Sequence, residues 1–135
     1  MPVHRINPDT VCAPLGAYSQ AILTNGSGRT LHIAGQIGIR EDGSVATGFD
    51  EQADAAWSSI AKILNAVDMD VSNLVKVVTY LTDPDDAARL AKVRHKYLGD
   101  SRPASTVVVV KSLLKPSWLV EIEATAFKEK VEVLT

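Results

Sequence analysis

Four short stretches carry side chains that could do chemistry, and each lies at or just before a predicted strand. Residues 16–21 (GAYSQA) contain a phenol and a hydroxyl, and residues 34–37 (AGQI) place a glycine beside an amide. Residues 102–107 (RPASTV) and 119–124 (LVEIEA) add a guanidinium, two hydroxyls and two carboxylates. Groups of these types can bind a small polar molecule, and a carboxylate can also orient water and move a proton.

The remaining reactive side chains predict neither a metal site nor a nucleophile. His4, His32 and His95 are scattered, and Cys12 stands at ligand spacing with none of them. No glycine-rich loop follows a strand and opens a helix, which argues against a phosphate-binding loop. Cys12 precedes Ala13-Pro14 in a predicted loop without a base nearby in the sequence, so we interpret it as an ordinary loop residue.

Composition indicates an ordinary globular protein with one domain over residues 1–135. Hydrophobic residues make up 46% and charged residues 22% of the chain, as is usual for such domains. The net charge is −2, the pI is about 5.9 and no basic run is present, which disfavours nucleic acid and membranes as partners. The N-terminus lacks the apolar segment of a signal peptide, so we expect a cytoplasmic protein.

The first third of the chain predicts strands and a tight turn. A short strand is expected near residues 3–6. Segments 18–24 and 30–35 are β-prone and flank the turn Asn25-Gly26-Ser27-Gly28. Its Asn-Gly pair favours a hairpin because both residues tolerate positive φ. The sequence therefore predicts that these two segments pair as a β-hairpin.

Two amphipathic helices follow. Segment 50–68 has a helical apolar stripe, with Asp50 as the predicted N-cap. The second helix is predicted to start at Asp83-Pro84 and to end at Gly99. Its stripe comprises Ala87, Leu90, Ala91, Val93 or Arg94, Tyr97 and Leu98.

Three more strands complete the pattern. Segment 74–82 is rich in Val and Thr, segment 105–112 is β-branched and predicted to be buried on both faces, and segment 119–128 alternates. The order is ββ-α-β-α-ββ. Two helices can cover one face of such a sheet, so the other face is expected to meet a partner, most economically in a symmetric oligomer.

The motifs resemble those of the Rid family, also called the YjgF family. That family reads GPYSQA, SGQI, PARS and EIEA in order, where this chain reads GAYSQA, AGQI, PAST and EIEA at compatible spacing. The order of helices and strands also matches over essentially the whole chain. From these four motifs together the chain is identified as a member.

The resemblance implies a chorismate-mutase-like α+β fold, with two helices on one face of a mixed sheet of about six strands. It also implies a homotrimer whose small-molecule ligands bind in clefts between subunits. The best-known chemistry of the family is hydrolysis of reactive imines and enamines to keto acids and ammonia. That chemistry needs neither cofactor nor metal.

Carried over by motif, the resemblance assigns roles to several residues. Tyr18 lines the cleft, the backbone of Gly35 approaches the ligand, and Glu121 positions the attacking water. Ser105 stands where the family has the arginine that grips the substrate carboxylate, and a serine supplies one hydrogen bond but no charge. The family's Ser and Pro are likewise replaced by Ala34 and Ala17.

Two arginines are candidates for the missing cation. Arg102 lies three residues before Ser105, and Arg94 lies on or beside the apolar stripe of the second helix. The leading hypothesis is a hydrolase of an imine, enamine or related C–N bond, with a substrate unlike the usual amino-acid-derived imine. The alternative is a non-enzymatic metabolite-binding or protein-stabilising module. Ribonuclease activity, a third idea, is disfavoured by the acidic pI and the lack of a basic groove.

Overall fold

The computed structural model describes residues 3–130 and has the predicted order of elements. The elements are β1 (Val3–Ile6), β2 (Ala21–Thr24), β3 (Gly28–Ile37), α1 (Phe49–Ala66), β4 (Leu74–Leu81), α2 (Ala87–Leu98), β5 (Ala104–Val109) and β6 (Val120–Glu129). The predicted α+β fold with two helices and six strands is confirmed. Within these residues no helix combines the length and apolarity needed to cross a membrane.

The six strands form a sheet of four and a separate pair. The sheet has the order β3-β6-β4-β5, in which β4 and β5 are parallel and the other neighbours antiparallel. Strands β1 and β2 pair antiparallel. A single bridge between Ser19 and Ala104 connects the segment before β2 to the start of β5. This bridge brings the first polar motif against the third.

The predicted hairpin across Asn25-Gly26 is wrong. Strand β2 pairs with β1, whereas β3 pairs along its length with β6. A type I′ hairpin turn needs positive φ at both central residues, and of this pair only Gly26 has it, with φ of 83°. The turn therefore carries the chain from one sheet to the other.

Helix α1 packs its stripe on the sheet but begins differently from the prediction. Its buried residues include Ala53, Ala56, Trp57, Ile60 and Leu64, as the stripe predicted. The N-cap is Gly48, with φ of 81°, so the prediction of Asp50 as cap is wrong. The helix starts earlier because the Phe49 side chain is buried in the core, and Asp50 lies in the first turn, where a carboxylate favours the helix dipole.

Helix α2 follows its predicted stripe only in part, and it ends at the predicted glycine. Ala87 and Ala91 of the stripe are exposed, and the predicted start at Asp83-Pro84 is a 3₁₀ turn over Pro84–Asp86 that precedes the helix. Leu90 and Leu98 are buried, Tyr97 is half-buried, and Gly99 caps the helix with φ of 55°. The Tyr97 ring stacks on Trp57 of α1 with 6.1 Å between ring centroids. This contact joins the two helices above the sheet.

Strands β5 and β6 differ in burial. In β6 the alternation is confirmed, since Val120, Ile122, Ala124 and Ala126 are buried while the intervening side chains lie on the opposite face. In β5 the expected burial on both faces is wrong for the described chain, because Val107, Val108 and Val109 are 39–51% exposed. Strand β5 is the edge of the four-stranded sheet, so only one side of it has a neighbouring strand in that sheet.

The contact of Tyr97 with α1 gives a test of helix packing. The Tyr97 hydroxyl donates to Asp54 Oδ1 at 2.9 Å, and Lys96 Nζ donates to the same oxygen at 2.7 Å. Hydrogen bonds from Lys96 and then Tyr97 lower the pKa of Asp54 below 3.8 against the effect of burial. We expect Tyr97→Phe to reduce the free energy of unfolding at pH 7 by about 1 kcal/mol, measured by urea unfolding.

The pH dependence of that difference follows from the direction of the Asp54 shift. A carboxylate with a lowered folded-state pKa contributes stability above its unfolded value of 3.8, and the contribution is lost as the pH falls through the folded value. The difference between wild type and Tyr97→Phe should therefore shrink below pH 3.8. An unchanged difference at pH 2 would show that the hydrogen bond from the Tyr97 hydroxyl to the Asp54 backbone carbonyl, at 3.2 Å, is responsible and that the carboxylate is not.

Candidate functional site

A cavity of about 470 Å³ brings together three of the residues that the sequence singles out. Its walls come from the loop before β2, from α2 and from β5. The lining residues are Leu15, Gly16, Tyr18, Ala87, Leu90, Arg94, Ser105 and Val107. Tyr18, Arg94 and Ser105 thus face one space, with apolar side chains between them.

Ser19 explains how Tyr18 comes to lie beside β5. Ser19 is buried, its backbone N–H donates to Pro103 O at 3.1 Å, and its hydroxyl donates to Arg102 O. The adjacent Tyr18 is oriented by its own hydroxyl, which accepts from the Leu15 N–H at 3.2 Å. In the Tyr-Ser pair of the first motif, Ser19 is therefore the anchor, and Tyr18, directly before it, is the residue that it positions.

Ser105 is half-buried on β5, opposite Val77 of β4. Its Oγ is buried and has no hydrogen-bond partner in the part of the chain that the structure describes. A buried hydroxyl without a partner costs about 1–3 kcal/mol, so such groups in native proteins call for an explanation. Ser105 is also one of the residues that line the cavity.

The two arginines differ in their surroundings. Arg94 is half-buried, and its pKa is lowered by burial and then by the positive charge of Arg102. Arg102 does not line the cavity that contains Tyr18. Its guanidinium donates to Gly99 O at 2.8 Å and Ser101 O at 2.9 Å, which fastens the loop after α2.

Gly35 and Glu121 meet each other elsewhere on the sheet. A Cβ at residue 35 would lie 2.8 Å from both Cδ and Oε1 of Glu121, so only glycine leaves that carboxylate where it is. Strand β3 has an irregular register between Ile33 and Gln36, which brings its backbone over β6 at this point. The sequence thus identified two residues that are in direct contact.

Within one chain the pair of Gly35 and Glu121 lies apart from the cavity of Tyr18, Arg94 and Ser105. Strand β4 lies between β5 and β6, and Ser105 pairs with Val77 whereas Glu121 pairs with Tyr80. Val77 is buried under the helices and Tyr80 is on the other face, so Ser105 and Glu121 lie on opposite faces of the sheet. One chain therefore does not bring Glu121 to the cavity of Tyr18, Arg94 and Ser105.

Sequence reasoning missed the apolar part of the cavity. Leu15 lies in a loop without periodicity and is 90% exposed, so no pattern marked it. Leu90 and Val107 were predicted only as core residues, and they serve as cavity walls as well. The place of Leu15 directly before Gly16 and the first polar motif is the one signal that the sequence offered.

A larger cavity, about 810 Å³, lies along α1 and contains none of the predicted site residues. It is lined by four acidic residues and by Arg40 and Lys62, and Arg40 already pairs with Glu51 at 3.2 Å. Among residues 3–130 no group of three or more His, Cys, Asp or Glu side chains is arranged to hold a metal ion. We therefore centre the candidate site on the smaller cavity.

Comparison with known proteins agrees with the motifs. The family model described as Endoribonuclease L-PSP matches residues 9–128. A RutC family protein from Pyrococcus horikoshii is 40% identical over 118 residues, covering 86% of this chain and 90% of the relative. The 2-iminobutanoate/2-iminopropanoate deaminase of Rattus norvegicus is 35% identical over 116 residues, covering 84% and 82%.

Solved structures give the same result. A conserved Rid family protein from Yersinia pestis superposes with a TM-score of 0.81 at 29% identity, covering 93% of this chain and 98% of that one. RidA from an Antarctic Psychrobacter species superposes with a TM-score of 0.71 at 33% identity, covering 93% and 99%. The chain belongs to the Rid/YjgF family, which confirms the resemblance seen in its motifs.

Proposed function

We propose that this protein is a homotrimeric Rid-family hydrolase that binds a small polar metabolite in clefts between subunits and hydrolyses an imine, enamine or related C–N bond. The observation that carries the proposal is the cavity shared by Tyr18, Arg94 and Ser105, together with the fitted pair of Gly35 and Glu121. A relative named as an imine deaminase supports the reaction class. The exposed Cys12 is compatible with a reducing compartment, and we propose the cytoplasm.

The separation of Glu121 from the cavity within one chain supports the proposed homotrimer. Edge strand β5 exposes Val107, Val108 and Val109 beside the cavity, and contiguous exposed apolar side chains are typical of protein interfaces. A symmetric contact would bring the sheet face of one subunit, with Glu121, against the β5 edge of the next. Each cleft would then hold a complete set of groups.

The proposed roles follow from the chemistry of each side chain. Glu121 orients a water molecule and takes its proton as the oxygen attacks the C=N carbon. The attack gives a carbinolamine, and Glu121 passes the proton to its nitrogen. The C–N bond then breaks as the new hydroxyl loses its proton, so that ammonia leaves and a carbonyl product remains with nothing oxidised or reduced. Tyr18 and Gly35 shape the pocket, while Ser105, with Arg94 or Arg102, contacts the substrate.

The test is release of ammonia and carbonyl product from a panel of freshly generated imines. Half of the panel should derive from α-amino acids and half from amines that lack a carboxylate. We expect steady turnover that is proportional to protein concentration. Tight binding of ligand with no turnover of any member would favour the alternative, a metabolite-binding module that is not an enzyme.

Ser105 gives a prediction about specificity. Ser105→Arg restores a guanidinium to β5, which can grip a carboxylate bidentately. We expect kcat/KM for imines of small α-amino acids to rise by about tenfold or more, the effect of one added charge-assisted contact. The control is Thr106→Arg, because residue 106 points to the opposite face of the strand. Equal effects of the two variants would contradict a role for position 105.

A further inference from the structure

Arg94 differs from every other arginine of the chain. The other five each donate to an acceptor, which is a carboxylate for Arg40 and Arg89 and a backbone carbonyl for Arg5, Arg29 and Arg102. Among residues 3–130, the Arg94 guanidinium alone of the six donates no hydrogen bond and forms no ion pair. A half-buried cation without an anionic neighbour is costly, and a bound anion would relieve that cost.

The space around Arg94 has the charge that an anion requires. Arg94 lines the cavity of Tyr18 and Ser105 and also a second cavity of about 260 Å³, which Arg102 shares. No Asp or Glu of the described chain lines either cavity. The cavity along α1, by contrast, has four acidic side chains in its wall. The positive potential near Arg94 is therefore uncompensated.

We propose that Arg94 is the anion anchor of this site and that it holds the substrate carboxylate from α2. This inference rests on the proposed function and specifies which residue binds its substrate. Ser105 on β5 is polar but uncharged, so the positive charge in the cavity wall comes from the helix. The unpartnered Ser105 hydroxyl would donate to the same carboxylate from β5.

The other walls of the cavity are apolar and indicate the chemistry of the part of the substrate away from its carboxylate. Leu15, Leu90 and Val107 are apolar, and α2 contributes only a methyl group at Ala87 and at Ala91. Small side chains on the helix leave room that a larger residue would fill. A volume of about 470 Å³ lies in the ordinary range for small-molecule sites. An aliphatic side chain of the substrate fits this wall better than a polar one.

The test is equilibrium binding of α-ketoisocaproate, the keto acid that corresponds to leucine, measured by calorimetry. Arg94→Met keeps the apolar stem and removes the charge. We expect it to raise the Kd roughly 10- to 100-fold, as loss of a charge-assisted anchor does. Binding of methyl isobutyl ketone, which lacks the carboxylate, should not change. Arg94→Lys should retain part of the affinity, since it keeps the charge without the fork.

Two further arginines serve as controls. Arg89→Met changes an arginine of the same helix that pairs with Asp86, and it should leave the Kd unchanged. Arg102→Met should weaken binding less than Arg94→Met. If Arg102→Met had the larger effect, if Arg94→Met bound as tightly as wild type, or if wild type did not bind the keto acid, the inference would be overturned. Thermal unfolding of each variant excludes loss of fold as the cause.

Different results would exclude Arg94 as the anchor and exclude the deaminase reaction. Arg94-dependent binding of the keto acid without turnover of any imine would leave the anchor intact and remove the deaminase. Turnover confined to imines without a carboxylate, and unaffected by Arg94→Met, would keep the deaminase and overturn the anchor. Arg94→Met should mainly raise KM, whereas loss of the water-positioning group should mainly lower kcat.

Discussion

Replacing Glu121 with glutamine is expected to slow product formation roughly 10²–10⁴-fold, the usual contribution of a general base. The amide has the same shape as the carboxylate and fits beside Gly35, but it cannot take a proton from the attacking water. Because the shape is kept, binding of α-ketoisocaproate should stay close to the wild-type value. Initial rates of ammonia release measure the first effect and calorimetry measures the second.

Strand β6 offers a matched control. Glu123 lies on the same face two residues away, and its carboxylate accepts a hydrogen bond from the Tyr80 hydroxyl at 2.6 Å. That hydrogen bond is also the main reason that the pKa of Tyr80 is raised. Glu123→Gln should keep most of the activity. Equal losses in the two variants would mean that the charge of the sheet face matters and that Glu121 has no special role.

Gln52→Leu is expected to cause the largest loss of stability, about 3–5 kcal/mol in the free energy of unfolding. Gln52 is buried on α1, and its amide nitrogen donates to Ala46 O at 3.1 Å and Ser117 O at 2.9 Å. Its amide oxygen accepts from the Leu119 N–H at 2.8 Å. Leucine would leave the backbone groups of Ala46, Ser117 and Leu119 without this side-chain partner, and Ala46 is buried.

Urea unfolding measures this effect, and Gln36→Leu is the control for the same chemical change. Gln36 on β3 donates only to Ala34 O of its own strand, at 3.0 Å. Its replacement should cost less than about 1 kcal/mol, as expected for one partly exposed hydrogen bond. If the two variants were equally stable, the hydrogen bonds of Gln52 would not be what stabilises the contact between α1 and the segment before β6.

Patterns that depend on neighbours in the sequence predicted the structure well. The alternation of β6 and the stripe of α1 depend only on which side of an element each residue faces. Pairing between strands depends on distant residues, and there the predictions failed. The turn at Asn25-Gly26 had the right residues for a hairpin, but β3 found its partner in β6, far along the chain.

Strand β5 shows a second limit. Its run of valines is compatible with burial on both sides, yet no sequence pattern tells whether the covering surface comes from the same chain. In the described chain β5 is the edge of the sheet and its valines are exposed. The sequence marked an apolar strand correctly, whereas its neighbours are a property of the fold and of the proposed assembly.

The same distinction applies to the site. The motifs predicted roles for Tyr18, Gly35, Ser105 and Glu121. The hydrogen bonds of Ser19 to the backbone of Arg102 and Pro103 explain the placement of Tyr18. The close approach of Gly35 to Glu121 explains the placement of that glycine. The sequence could not separate Arg94 from Arg102, because both lie within a dozen residues of Ser105. The difference arises at Gly99, whose positive φ turns the chain so that Arg102 reaches back to the carbonyls at the end of α2. Arg94 then remains the free cation in the described cavity wall.

The fit of Gly35 over Glu121 also has an evolutionary consequence. Gly35 does not have positive φ, so its backbone would accept alanine, and the added methyl group would displace only the end of a flexible side chain. The fold and the pocket of Tyr18 would survive while the carboxylate lost its position. Under the proposed mechanism, one mutation would convert a lineage of such proteins from turnover to ligand binding, and reversion would restore turnover as easily.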